Sequence, residues 1–275
     1  MRGLKNGAVA LAVAALPAFA QAEVHPLDDA ALGEVTGQSG VTIELQTKVS
    51  MQQFKYTDEG SLTIDNVTIG GANKSDMFGF TGLVASPGQG NDLLDNIKLN
   101  IDILSTGDAV INMLPVVFQA VDFKITTGAW KLNGTNGSTT VLDNLSIEGA
   151  AGSGYIWIHN ATHKMELRAG FAIDDMSVDV PLLAMSLRGI TVTGANFDPI
   201  VPQPLDLFLD TKWDIYKSTN AAGNDALAID LTQFGTGNSG ANININQFMV
   251  GGVSLGSVNI HQLQLSNTSL RIYGH

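Results

Sequence analysis

Two glycine-spaced motifs have the residue types for chemistry. Gly252-Val253-Ser254-Leu255-Gly256 spells the G-x-S-x-G pattern of serine hydrolases. That pattern works where a strand turns sharply into a helix and lifts the serine out of the sheet. Here Val258, Ile260 and Leu263 come next at strand spacing, so no helix is expected. The base would have to be His261 or His275, and no acid is placed to orient it. Gly235-Thr236-Gly237-Asn238-Ser239-Gly240 spells G-x-G-x-x-G. A dinucleotide site needs a helix N-terminus directly after this motif. The next residues, Asn242-Ile243-Asn244-Ile245-Asn246, alternate as a strand does, so the motif reads as a glycine-rich loop. No catalytic constellation stands, and the chain is not expected to be an enzyme. A secreted hydrolase acting through paired carboxylates is a third reading, but no two acids are placed at the required separation.

His159 and His163 flank an expected turn. Two imidazoles hold Zn²⁺ only with further ligands, and the sequence places none. Asp174, Asp175 and Asp179 offer oxygens without the spacing of a calcium loop. Neither a metal nor a cofactor is expected. Trp130, Trp157 and Trp213 can form a sugar-stacking platform or sit at the rim of a β core. Trp157 alternates out of phase with Ile156 and Ile158. It therefore faces the less buried side and is the best single candidate for a contact surface.

The elements that must position these residues are strands. Beyond Gly40 the apolar period is two: Val41, Ile43 and Leu45 alternate with Thr42, Glu44 and Gln46. The alternation recurs at Leu62–Ile64, Ile97–Ile103, Ile156–Ile158, Leu187–Val192 and Val258–Ile260, as half-buried strands require. It continues through Leu263-Leu265 and Leu270-Ile272. Asn-Gly and Gly-Gly pairs separate the runs, with hairpin loops expected at 133–138 and 159–163. Val110 to Val121, with Pro115 inside, reads as a loop or helical turn. Asp198 to Pro204 carries three of the eight prolines and reads as a crossover or linker. It is the one candidate sub-boundary. An Asp-Asn pair recurs at Asp65-Asn66, Asp95-Asn96 and Asp143-Asn144, each time interrupting the alternation. A bulge or bend is expected in each of those strands. The repeat reads first as shared β grammar, and second as related sheet layers. The expected fold is all-β: twisted, mainly antiparallel sheets in an elongated sandwich or solenoid-like body, with one short N-terminal helix.

That helix comes after a leader. Arg2 and Lys5 precede an apolar run from Ala8 to Leu16, then Pro17 and the small-x-small site Ala20-Gln21-Ala22. This is the layout of a cleavable signal peptide over residues 1–22, and the apolar run is too short to span a bilayer. Cleavage takes the formal charge from −12 to −14, because Arg2 and Lys5 leave and no acid precedes Glu23. Residues 23–40 hold the short helix and turn, capped by Asp28 or Asp29 and ended by Gly37. Residues 41–275 form the β domain. The expected address is the periplasm, the outer membrane or the cell surface. No later segment is long and apolar enough for a transmembrane helix. Cysteine is absent, which excludes thiol catalysis and thiolate metal sites. The acidic balance, without a Lys or Arg cluster, argues against nucleic acid.

The run Leu27-Asp28-Asp29-Ala30-Ala31-Leu32-Gly33-Glu34-Val35-Thr36-Gly37-Gln38-Ser39-Gly40 resembles the Fil-type pilus protein family of gammaproteobacteria. That family has L-x-D-x-x-L-x-x-V-x-G-Q-x-G after a signal peptide. Leu27, Asp29, Leu32, Val35, Gly37, Gln38 and Gly40 keep that order here. The ending Leu270-Arg271-Ile272-Tyr273-Gly274-His275 is similar to the family's closing strand. The resemblance implies an exported, surface or pilus-associated protein and brings no catalytic residues.

The leading expectation is an exported structural or interaction protein at the cell surface, filament-associated or adhesin-like, with other surface proteins or its own copies as partners. The segment Gln262 to Tyr273, carrying Leu263, Leu265, Leu270 and Ile272, is the candidate strand donor to a neighbour. The alternative is a periplasmic or outer-membrane carrier of an apolar ligand, which would need an uncovered apolar sheet face.

Overall fold

The structure is a computed structural model that describes residues 40–74, 76–83, 92–117 and 119–274. The expected leader, the expected helix at 28–37 and the motif residues Leu27, Asp29, Leu32, Val35, Gly37 and Gln38 lie outside the described residues. Gly40 is described. A Cβ added there would stand 2.5 Å from the backbone oxygen of Ile101, so the close approach of the two chains requires glycine.

About two thirds of the described residues lie in strands, and every strand pair is antiparallel. Fifteen strands form one sheet, which is read most simply as eight rows. The first row is β1 (Val41–Thr47) followed by β2 (Val49–Thr57). The second begins with β3 (Ser61–Gly70). The chain then leaves the sheet for a small ribbon, β4 (Asp76–Met77) with β5 (Phe80–Thr81), and returns as β6 (Leu94–Ile103). The third row is β7 (Ala109–Pro115), β8 (Val121–Thr127) and β9 (Trp130–Gly134), laid end to end. The fourth and fifth rows are the long strands β10 (Gly137–His159) and β11 (Lys164–Val180). The sixth is β12 (Met185–Gly194), a crossover over 195–208, then β13 (Leu209–Thr219). The seventh is β14 (Asp225–Phe234) and β15 (Ala241–Val250). The eighth is β16 (Val253–Leu263) and β17 (Ser269–Ile272). Each row pairs with the rows before and after it in sequence.

Local chemistry explains the joints. Thr135 and Asn136 turn the chain between the paired Gly134 and Gly137. Asn160 to His163 turns it between β10 and β11. Gly251 and Gly252 both have positive φ, 59° and 80°, as a tight hairpin between two twisted strands demands. Val110 to Pro115 is strand, not loop or helical turn. Pro115 sits at the strand end opposite Ile97, where its missing N–H costs least. The prolines of 199–204 lie in the crossover, and β12 and β13 on either side of it both pair with β11.

The recurring Asp-Asn pairs do have a common geometry. Asn66, Asn96 and Asn144 have φ of 50°, 59° and 50°. Asparagine tolerates this left-handed conformation better than most residues. At β6 and β10 a register shift lies at the pair, whereas β3 keeps its register with β2 through Asn66. Leu62 and Ile64 precede Asn66 at even positions, and Val67 and Ile69 come after it at odd ones. All four still face one side of the sheet, because the strand flips its parity there.

Candidate functional site

The sheet is amphipathic across its whole width. Direct pairing places Val49, Ile69, Ile125, Ile147, Met176, Ile190, Ile245 and Val258 side by side, one from each row. One step along each strand, the opposite face shows Ser50, Thr68, Thr126, Ser146 and Ser177. A second apolar ladder runs through the other half of the rows: Val41, Ile101, Ile111, Ile156, Leu167, Trp213 and Leu231. Period-two sequence alone makes one strand amphipathic. Matching register in successive hairpins makes the face continuous.

This apolar face is not closed by a second layer among the described residues. Of the eight-residue ladder only Ile190 is buried. Toward the two outer rows Ile43, Phe54, Val253 and Leu270 are exposed. The fully buried large side chains, Met77 and Leu207, belong instead to the two segments that leave the sheet. Those segments sit on the polar face. Met77 packs with Ala120 and Ala150, beside Phe78, Leu83 and Phe208. Phe80 and Phe197, one from each segment, bring their ring centroids to 6.1 Å. Asp174 fastens the ribbon: it accepts from Lys74 Nζ at 2.6 Å and from the Phe78 N–H at 2.8 Å. The Lys74 hydrogen bond raises that ammonium's pKa above its ordinary value. Beside the ribbon a groove of about 650 Å³ opens on the polar face, with Thr191, Asn244 and Asn259 on its floor and Phe78 and Phe197 on its wall.

The rest of the polar face carries charge pairs between adjacent rows. Arg168 donates to Asp210 from Nη2 at 2.6 Å, and Gln233 donates to the same carboxylate at 2.7 Å. Lys212 lies 2.9 Å from Glu166, which also accepts from the Tyr155 hydroxyl. Burial, then the bond to Glu166, pushes the Tyr155 pKa up to about 12. These are partly exposed pairs, so they fix register more than they add stability.

The sequence-derived contact residues do not converge. Trp157 lies on the polar face opposite Glu166. It stacks on His159 at 4.8 Å between centroids and donates to Asp108 at 3.2 Å. Trp213 pairs with Leu167 on the apolar face, so the tryptophans form no common platform. The closing segment is two strands, not one. Gln262 (φ 53°) and Asn267 (φ 54°) break it, and β16 ends at Leu263. Leu265 is exposed in the break, while Leu270 and Ile272 lie on β17, already paired with β14. One edge of this segment is therefore used within the chain. Ser254 sits in β16 with no helix after it, and Gly235 to Gly240 is a loop leading into β15. No group of three or more metal-ligating side chains occurs among the described residues. No described helix is long and apolar enough to cross a membrane. The face as a whole was the feature that residue-by-residue reading missed. The signal was in the sequence as separate alternating runs, but only the pairing register joins them.

Residues 1–105 match a family of unknown function, DUF6160. No curated protein matches the chain. No solved structure matches it either.

Proposed function

We infer that this is an exported structural or interaction protein whose contact surface is the apolar face of its sheet. The observation that carries this reading is the ladder of eight directly paired apolar residues, Val49 through Val258, at least partly exposed in every row but that of Ile190. A face of that breadth loses free energy when covered, at roughly 25 cal/mol per Å² of apolar area, and large uncovered patches mark contact sites. The leader-like N-terminus and the resemblance of residues 27–40 to the Fil-type pilus proteins favour the cell surface as the place of action and a filament-associated or adhesin-like role. An elongated body fits the same picture, since a row of the length of β10 extends about 3.3 Å per residue.

The same uncovered side chains favour a second reading, a carrier of an apolar ligand. The groove of about 650 Å³ opens on the opposite, polar face, so the apolar face offers area rather than an enclosed cavity. This ranks protein contact first.

Cell fractionation with surface shearing, together with solvent extraction of the purified chain, tests both. The interaction reading expects the protein in the sheared fraction without stoichiometric lipid. Its retention there should fall when Ile43, Phe54 and Ile272 are replaced by Gln. A soluble periplasmic monomer holding one or more lipids per chain would replace it with the carrier.

A further inference from the structure

β16 is an edge strand with no charged residue and no proline along it. It pairs with β15 on one side and with no strand on the other among the described residues. Every residue from Val253 to Gln262 is exposed. Native sheets blunt such edges with lysine, proline or inward-pointing charge. Between Thr232 and Leu270 this chain has no Asp, Glu, Lys, Arg or Pro. The opposite edge differs, because Glu44, Lys48 and Lys55 punctuate the first row.

We propose that β16 pairs antiparallel with β16 of a second copy, about a two-fold axis at Asn259, and so extends the sheet from eight rows to sixteen. The proposal rests on the contact-surface reading above and names its partner. Charge singles out this edge. Two copies of a chain of net charge −12 repel each other, and β16 lets them approach with no like charges placed face to face. Geometry sets the register. The stretch Ser257 to His261 lies between the left-handed Gly256 and Gln262, with φ of 110° and 53°. Centring on Asn259 sets Val258 against Ile260, a pair of β-branched side chains that suits cross-strand contact. It also keeps both apolar faces on one side, so the ladder ending at Val258 continues into the second copy. An isologous contact of this kind closes at the dimer.

The absence of native cysteine makes the test direct. In the full chain, Asn259→Cys should give a disulfide-linked dimer under mild oxidation, whereas Ser50→Cys in the first row should not. Asn259→Lys places two ammonium groups opposite each other at the axis. It should raise the dimer dissociation constant by at least about tenfold in sedimentation, with the far-ultraviolet circular dichroism unchanged. A wild-type chain that sediments as a monomer at micromolar concentration overturns the proposal, as does an Asn259→Lys chain that stays dimeric. Mixed disulfides between Asn259→Cys and Ser50→Cys chains also overturn it, since they show head-to-tail pairing. The glutamine variants of Ile43, Phe54 and Ile272 judge the apolar face separately, so either idea can fail alone.

Discussion

Arg271 donates from Nη1 to Oδ1 of Asp230 at 2.6 Å, joining the last short strand to the sheet. Ser269 and the Tyr216 hydroxyl donate to the same carboxylate, each at 2.6 Å. Arg271, then Ser269 and Tyr216, hold the Asp230 carboxyl well below the usual carboxylate range. A depressed folded pKa stabilises at any pH above the unfolded value of about 4, and the benefit is lost as pH falls through the lower folded value. β17 should therefore stay docked at pH 4 and loosen only under stronger acid. Asp230→Asn should loosen it already at pH 7. Amide exchange at Leu270 to Ile272 should become several-fold faster, with β10 and β11 unchanged.

Met77 is fully buried, although it lies in a two-residue strand outside the main sheet. Met77→Ala should destabilise the chain by about 2–5 kcal/mol, the usual cost of emptying a packed site. Ile43→Ala, at an exposed edge position, should cost under about 1 kcal/mol because little burial is lost. Urea titration followed by circular dichroism measures both.

Asp174 serves two donors at once. Asp174→Ala leaves the half-buried Phe78 N–H and the Lys74 ammonium without that acceptor, a loss of about 1 kcal/mol, at the low end of the range for an unsatisfied group. Asp174→Asn keeps one oxygen for the Phe78 N–H and should lose less. Proteolysis of the native protein should cut near residue 78 faster in the alanine variant than in the asparagine one.

Asn66 is exposed, so its side chain contributes little beyond backbone conformation. Asn66→Gly should be close to neutral. Asn66→Val forces a β-branched residue to φ near 50° and should cost about 1–2 kcal/mol. Equal stabilities for the two variants would show that the left-handed kink is not what keeps β3 in phase.

Tyr155 should ionise late, near pH 12, because burial and the Glu166 bond oppose its anion. Ultraviolet difference titration of the native chain should lose this late component in Tyr155→Phe.

Much of this sheet was legible in the sequence. Val41-Ile43-Leu45 and Ile97-Leu99-Ile101 each show period two, and the turns at 135–136 and 251–252 carry the residues such turns need. Even the parity flips were visible, as Asp-Asn pairs that interrupt the alternation. Two things were not. Pro115 suggested a break, yet a strand end tolerates a missing N–H. The strand from Gln262 looked continuous because Leu263-Leu265 and Leu270-Ile272 each alternate, while Gln262 and Asn267 take a left-handed backbone that neither residue type makes obligatory. The candidate site was less legible still. A two-faced strand can lie in a closed core or on an open face, and the difference depends on whether another layer of chain covers it.

Because the strands of each row pair only with the rows before and after it in sequence, the chain can assemble like a fan opened from one end. The first three rows, through Gly134, are already mutually paired before β10 is needed, and every later row finds its template finished. Such nearest-neighbour wiring keeps loop-closure costs low and suits a polypeptide that emerges N-terminus first. It also means that the growing sheet always ends in an open edge, and that β16, as the last long strand added, inherits it.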